Sequence, residues 1–359
     1  MNAHFRPATT TLRLAELPDP TECARIERYL TGRGDATVFH GPQWLAAVEA
    51  GTGQRAFGLL AERDGEVTGW LPLSELHSPV FGRALASAGF GVSGGVIADD
   101  EHTAMRLCAA AEELAGRLSC SVIEVRGGLA PPHWHQRQDS HCGFIRPLAD
   151  DDEAELLAIP RKQRAEVRKG LANALDIEVG KDTAARAAHY AVYAESVRNL
   201  GTPVFPRSLF DAVLDRLDTD ILTVSSGGTP VASVLSLYHR GAVLPYWGGG
   251  THQARALRAN DRMYFELMGH ARRRGCSRFD FGRSKTGSGA YSFKKNWGFE
   301  PEPLAYASWT APGAAPRDAD PNSPRHAARI ALWTAAGSAD GRELARSLRI
   351  RSGRGLYED

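Results

Sequence analysis

The chain has 359 residues, a net charge of +1 and a mean hydropathy of −0.31. Hydrophobic residues at 43% and charged residues at 24% describe an ordinary globular chain able to bury a sizeable core. The near-neutral balance excludes a protein held on nucleic acid by its overall field, and no run approaches the ~20 apolar residues that span a bilayer.

The balance hides an asymmetry. Residues 1–150 carry 13 arginines, no lysine and 18 acids, a net of −5. Residues 151–359 carry 30 basic groups and 24 acids, a net of +6, and hold all six lysines. An acidic half joined to a basic half points to two domains with different tasks. The start, MNAHFRPATTTLRL, has no apolar core of signal-peptide length. The five cysteines are odd in number and never form Cys-x-x-Cys. Both features predict a reducing, cytoplasmic location.

The elements then run as two similar units. AFGLLAERDGEVTGWLPLSEL (56–76) reads as a hairpin turning at Asp64-Gly65. TAMRLCAAAEELAGRLSCSVIEVRGG (103–128) reads as an amphipathic helix ending near Gly116, then a strand over 121–125. HWHQRQDSHC (133–142) contains His133, His135 and His141. They lack carboxylate partners at regular spacing, so a surface loop is expected there and no metal site. PLADDDEAELLAIP (147–160) has the acids and flanking prolines of an exposed linker before a new helix.

IPRKQRAEVRKG (159–170) is the densest basic cluster, with Arg161, Lys162, Arg164, Arg168 and Lys169. On a helix, Arg161, Arg164 and Arg168 share one face, and guanidinium forks suit phosphate. A solvated basic face paired with the acids at 150–153 fits the same pattern. SVRNLGTPVFPRSLF (196–210) places Asn199, Thr202 and Arg207 beside two prolines; a pocket wall and a rigid turn both fit.

DILTVSSGGTPVASVLSLYHRGAVLPYWGGG (220–250) is a second hairpin, turning at Gly227-Gly228, with a third strand over 243–247. Tyr246 and Trp247 end that strand beside three glycines, where aromatics can hold a planar or sugar-like ligand. RMYFELMGHARRRGCSRFDFGRS (262–284) repeats the helix and strand. Cys120-Ser121 recurs as Cys276-Ser277 and Glu124 as Asp280, both at an offset of 156 residues. The shared order at a shared offset predicts a tandem duplication.

FDFGRSKTGSGAYSFKKNWGFEP (279–301) follows, with Gly282, Gly287 and Gly289 among Ser284, Thr286 and Ser288, flanked by Lys285, Lys294 and Lys295. A Gly/Ser loop after a strand can turn several amides to one oxyanion, with lysines as point charges; a mobile connection is the alternative. No Gly-x-Ser-x-Gly elbow and no activated cysteine is present, which favours direct displacement on an activated donor, or no catalysis. From about Pro312 the chain is Pro/Ala/Asp-rich, an irregular tail with a short helix expected at ARIALWTAA (328–336).

In this order, the motifs at 159–170, 193–210, 230–250, 259–276 and 279–299 resemble the FemAB family. They are most similar to its subgroup associated with exosortase/PEP-CTERM systems of Gram-negative bacteria. The resemblance covers about residues 35–310, more loosely in the first half. It implies an α/β (α+β) fold of two tandem GNAT-like acyltransferase domains, each a mixed central sheet flanked by helices. The domains would span 1–150 and 151–311, followed by a tail at 312–359.

The activity implied is aminoacyl or acyl transfer to an amine of a cell-envelope or exopolysaccharide precursor, by direct attack on an activated donor. In that reading Lys294 polarises the acyl carbonyl, with Asp280 and Arg283 beside it. Arg283, Lys285 and Lys295 hold phosphate or carboxylate, Asp280 orients one of these or accepts a proton, and Ser284 joins the substrate-binding residues. Asn199, Thr202, Arg207, Tyr246 and Trp247 line the acceptor cleft. Arg161, Lys162 and Arg164 meet a nucleotide or lipid diphosphate.

The co-substrate implied is aminoacyl-tRNA or acyl-CoA, with no metal and no DNA, a small-molecule or lipid-linked acceptor, and peripheral membrane contact as an option. The chain lacks the coiled-coil arm that some family members carry in the second domain, which counts against tRNA. Residues 253–259 lack the glycines of Arg/Gln-x-x-Gly-x-Gly/Ala, which counts against CoA. A CoA-dependent N-acyltransferase and a non-catalytic module binding a sugar nucleotide or polyanion are the alternatives.

Overall fold

The computed structural model describes residues 9–78, 82–199 and 204–314. Thr202 and the helix expected at 328–336 lie outside the described residues. The first half runs β1 (Thr11–Leu14), α1 (Pro20–Thr31), α2 (Pro42–Thr52), β2 (Ala56–Arg63), β3 (Glu66–Ser78), β4 (Gly82–Ser87), β5 (Ile97–Ala98), α3 (Glu101–Arg117), β6 (Val122–Arg126), β7 (His135–Arg137) and β8 (His141–Pro147). The second runs α4 (Asp152–Ala158), α5 (Arg161–Ala172), β9 (Asp176–Gly180), α6 (Thr183–Asn199), α7 (Arg207–Arg216), β10 (Thr219–Ser226), β11 (Thr229–His239), β12 (Ala242–Gly250), α8 (Ala254–Leu257), α9 (Ala259–Arg273), β13 (Arg278–Lys285), α10 (Gly289–Asn296), β14 (Pro301–Pro303) and β15 (Tyr306–Thr310).

Local chemistry places these elements. Both hairpins turn on two residues at positive φ: Asp64 and Gly65 at 53° and 82°, Gly227 and Gly228 at 54° and 76°. That is the geometry whose twist matches the flanking strands. Asp100 caps α3 by accepting the Thr103 amide at 2.7 Å. Leu107, Ala111 and Leu114 of α3 then bury against the first sheet.

The two sheets have the same plan. One reads β1-β2-β3-β4-β6-β15-β7, with β5 on β3; the other reads β9-β10-β11-β12-β13-β8-β14. Each central pair is parallel, β4 with β6 and β12 with β13, while the neighbouring pairs are antiparallel. This is a mixed α/β architecture with a repeated sheet order.

The boundary expected at residue 150 does not divide the sheets. β8, before it, pairs between β13 and β14 of the second sheet. β15, from the end of the second half, pairs between β6 and β7 of the first. The two repeats therefore exchange a strand. The physical reason is the edge left beside β6 and beside β13: each offers a row of unpaired backbone groups that the other repeat's last strand satisfies.

The linker expected at 147–160 is also a structured segment. It contains α4, capped by Asp151 accepting the Ala154 amide at 2.8 Å. Glu155 within it is fully buried, paired with Arg146 and lying 3.6 Å from Arg272. A run of acids reads as solvated from composition, but one of them serves two arginines inside the fold.

One apolar cluster joins the repeats. Phe39, Trp44 and Val48 of the first half pack with Phe210, Leu235 and Trp247 of the second. Helix α2 lies directly on α7, with Ser208 Oγ donating to the Gly51 carbonyl at 2.5 Å.

Candidate functional site

Each parallel pair opens into a wedge. β4 and β6 pair only at Leu85–Ile123 and Ala86–Glu124, and β12 and β13 only at Ala242–Arg278 and Val243–Phe279. The first wedge closes again. Val96 bridges Gly128 in parallel, and a Cβ on Gly95 would meet the Gly127 carbonyl oxygen at 1.8 Å. Only glycine allows that backbone contact. No equivalent bridge closes the β12–β13 wedge among the described residues.

The wall of the open wedge is a bulge in β13. Its register against β8 shifts between Asp280 and Arg283, and Gly282 sits at φ +68°. Asp280 Oδ1 accepts the Gly282 amide at 2.8 Å. Lys294, from α10, donates Nζ to the Gly282 carbonyl at 3.2 Å and to the Arg283 carbonyl at 2.9 Å. Its ammonium also lies 5.4 Å from the Phe144 ring and 5.7 Å from the Phe281 ring. Burial pushes the Lys294 pKa down to about 8, opposed by the charge of Asp280. Burial pushes the Asp280 carboxyl above the ordinary range.

The other half of the site comes from the first repeat. Three consecutive carbonyls after β4 receive donors: Phe90 from Tyr246 Oη, Gly91 from Arg126 at 2.7 Å, and Val92 from Tyr306 Oη at 3.4 Å. Arg283 in turn donates to Tyr306 Oη at 2.9 Å. The open wedge of the second repeat thus faces a fixed loop of the first. Cations and oriented backbone dipoles at such a mouth can stabilise negative charge developing on an acyl carbonyl.

Residues 161–295 match the sequence profile of an acetyltransferase (GNAT) domain. That stretch runs from α5 into α10 and contains the open wedge and its bulge. GNAT domains use acyl-CoA as co-substrate. The curated protein sequences contain no match.

Among solved structures, FemX is similar over 79% of this chain and 95% of its own, with a TM-score of 0.62 and 14% identity. A tandem GNAT protein from the clavulanic acid biosynthesis pathway is similar over 86% of this chain and 100% of its own, at TM-score 0.57 and 11% identity. N-myristoyltransferase of Saccharomyces cerevisiae, with bound myristoyl-CoA, covers 86% of this chain and 81% of its own, at 0.54 and 10%. These likenesses are likenesses of fold.

The GNAT-like wedge gathers Lys294, Asp280, Arg283 and Ser284. Ser284 is buried, and its hydroxyl has no partner among the described residues. Lys285 and Lys295 are exposed, with Lys295 5.9 Å from the Tyr291 ring. Trp247 is buried and forms no free cleft wall, whereas Tyr246 is half-buried, with its hydroxyl on the Phe90 carbonyl. Tyr246 lies 5.2 Å from Phe39 and 5.5 Å from Trp44, and Trp247 lies 4.5 Å from Phe210. Trp247 belongs to the core between the repeats and Tyr246 packs against its edge; both lie within β12, which runs on to Gly250, where large aromatic area is buried between the repeats.

The basic helix is dispersed in role. Arg161 and Lys162 are exposed at the start of α5. Arg164 instead donates to the Ile159 and Leu157 carbonyls at 3.1 and 2.9 Å, satisfying the end of α4. Asn199 is exposed at the end of α6, and the exposed Arg207 pairs with Asp211 at 3.6 Å.

Sequence reading passed over Arg126 and Tyr306, and took His141 only as a loop residue. A signal for Arg126 was present: Arg126 and Arg283 are 157 residues apart, next to the 156-residue repeat offset.

Proposed function

We propose that the chain is a FemAB-like N-acyltransferase whose donor enters the β12–β13 wedge and whose amine acceptor approaches from the loop after β4. The observation that carries this reading is the open wedge itself, lying inside the segment that matches the GNAT profile while its counterpart is closed. In the reaction the amine nitrogen bonds to the acyl carbon, the donor's ester or thioester bond breaks, and the amine proton leaves with the departing group. Lys294 and Asp280 fix the Gly282 bulge, and Arg283 stands at the mouth, so positioning and charge stabilisation supply the rate. A cell-envelope or exopolysaccharide precursor with an amine fits the acceptor side of this reading.

Residues 253–259 bear on the choice between two donor classes. That stretch is the helical turn α8, closed by Arg258 at φ 55°, and Asp261 follows in the first turn of α9 beside Gln163 at 2.6 Å. Residues 253–259 lack the glycines that let backbone amides seat a pyrophosphate, which supports an aminoacyl or other ester donor. The GNAT match supports acyl-CoA as the second reading. Calorimetric titration with acetyl-CoA, and separately with aminoacyl-tRNA, tests both. Saturable binding of either, followed by acylation of an amine detected by mass spectrometry, supports the function; binding of neither contradicts it.

A further inference from the structure

Tyr306 stands where the two sheets meet, at the start of the exchanged strand β15. Its register partners are Arg126 on β6 and Arg137 on β7. From the other sheet, Arg283 donates to its hydroxyl at 2.9 Å, and the His141 ring lies 5.4 Å from its ring. Four basic side chains from four strands therefore converge on one tyrosine. They grade from Arg126, whose side chain is 14% exposed, through half-buried Arg283 and His141, to exposed Arg137.

Counter-charge is sparse here. Arg283 meets a neutral phenol, and Arg126 spends one nitrogen on the Gly91 carbonyl at 2.7 Å. Glu124 lies 3.9 Å from Arg126, beyond hydrogen-bond reach. No ion pair to Arg137, His141 or Arg283 occurs among the described residues. Some half-buried arginines of this fold are matched by acids, as Arg13 is by Glu22 and Glu62, while Arg106 and Arg164 donate to carbonyls. Burial, then the charges of Arg283, Lys285, Arg137 and Arg126, hold the His141 pKa down at about 4. Gathering like charges partly out of water, with only the long Arg126–Glu124 pair as counter-charge, is costly, and a bound anion lowers that cost.

We propose that Arg126, Arg283 and Tyr306 form an oxyanion site at the junction of the two sheets, taking a phosphate or carboxylate group of the acceptor. Two guanidinium forks and a phenol suit that chemistry, since each fork offers parallel donors to one oxyanion. Assigning the group to the acceptor rests on the proposed acyl transfer; anion binding itself does not.

The test is calorimetric titration of the full chain at low ionic strength, with inorganic pyrophosphate and with succinate as separate probes. The wild-type chain binds at least one of them at one equivalent per chain. Arg283→Gln and Arg126→Gln each weaken binding tenfold or more, while Arg117→Gln, on the far exposed end of α3, does not. Circular dichroism confirms that each variant is folded. Tighter pyrophosphate assigns a phosphate, and tighter succinate a carboxylate. No saturable binding of either probe, or wild-type binding in both site variants, overturns the site. Binding retained in a chain that acylates no amine removes the proposed function and leaves the site standing.

Discussion

Asp280 and Lys294 hold one glycine from its two sides. Asp280 accepts the Gly282 amide at 2.8 Å, and Lys294 donates to the Gly282 carbonyl at 3.2 Å. The bulge that shapes the open wedge is thus pinned by a carboxyl and an ammonium that never touch as an ion pair among the described contacts.

Removing the ammonium leaves two carbonyls short of a donor. Lys294→Ala lowers acyl transfer by ~10²-fold or more, the loss typical of one charge-stabilising group. Lys294→Arg keeps the charge and retains part of the rate. Initial rates on the best donor check this; wild-type turnover in Lys294→Ala removes Lys294 from the machinery.

Lys294 also makes stability depend on pH. Its pKa falls from the ordinary 10.5 to about 8 on folding. Between those values the unfolded chain binds the extra proton, so stability rises with pH through this window. Below about 8 both states are charged and the gain is absent. The whole effect is about 3 kcal/mol at most. Urea denaturation should show the wild type gaining on Lys294→Met from about pH 8 to about pH 10. A pH-independent difference would contradict the shift.

Asp280→Asn keeps an oxygen for the Gly282 amide and removes the charge that supports the Lys294 ammonium. The Lys294 pKa then falls below about 8, because the charge of Asp280 raises it. The alkaline limb of kcat/KM should move to lower pH. An unmoved limb would separate Asp280 from Lys294 electrostatically.

The strand exchange makes the repeats inseparable. A chain cut at residue 150 lacks β15, which stands between β6 and β7. Expressed alone, residues 1–150 should be unfolded or aggregated. In the whole protein, Trp247→Ala should cost ~3–5 kcal/mol and lower one shared transition, since its ring packs on Phe210 and near Trp44. Calorimetry reads both; two independent transitions would contradict a common core.

Much of this was legible in order and little of it in contact. Asp64-Gly65 and Gly227-Gly228 announced the hairpins, because a two-residue turn is set by its own residues. The sheets repeat in the order the offset implied. The exchange of β8 and β15 was not legible, since their partners lie more than 100 residues away for Arg278–Pro147 and Tyr306–Arg126. Arg164 looked like an anion ligand by residue type, yet its nearest acceptors are carbonyls of the preceding turn. Lys294 and Asp280 were picked out by motif; that they meet through Gly282 is a fact of the bulge.

The most direct measurement of the central claim is amide hydrogen exchange with and without acetyl-CoA, myristoyl-CoA or aminoacyl-tRNA. The account predicts new protection at 245–250 and 280–285, the two walls of the open wedge, from one of these donors. Protection at 84–87 and 122–125, the two walls of the closed wedge, instead, or none from any donor, would contradict it.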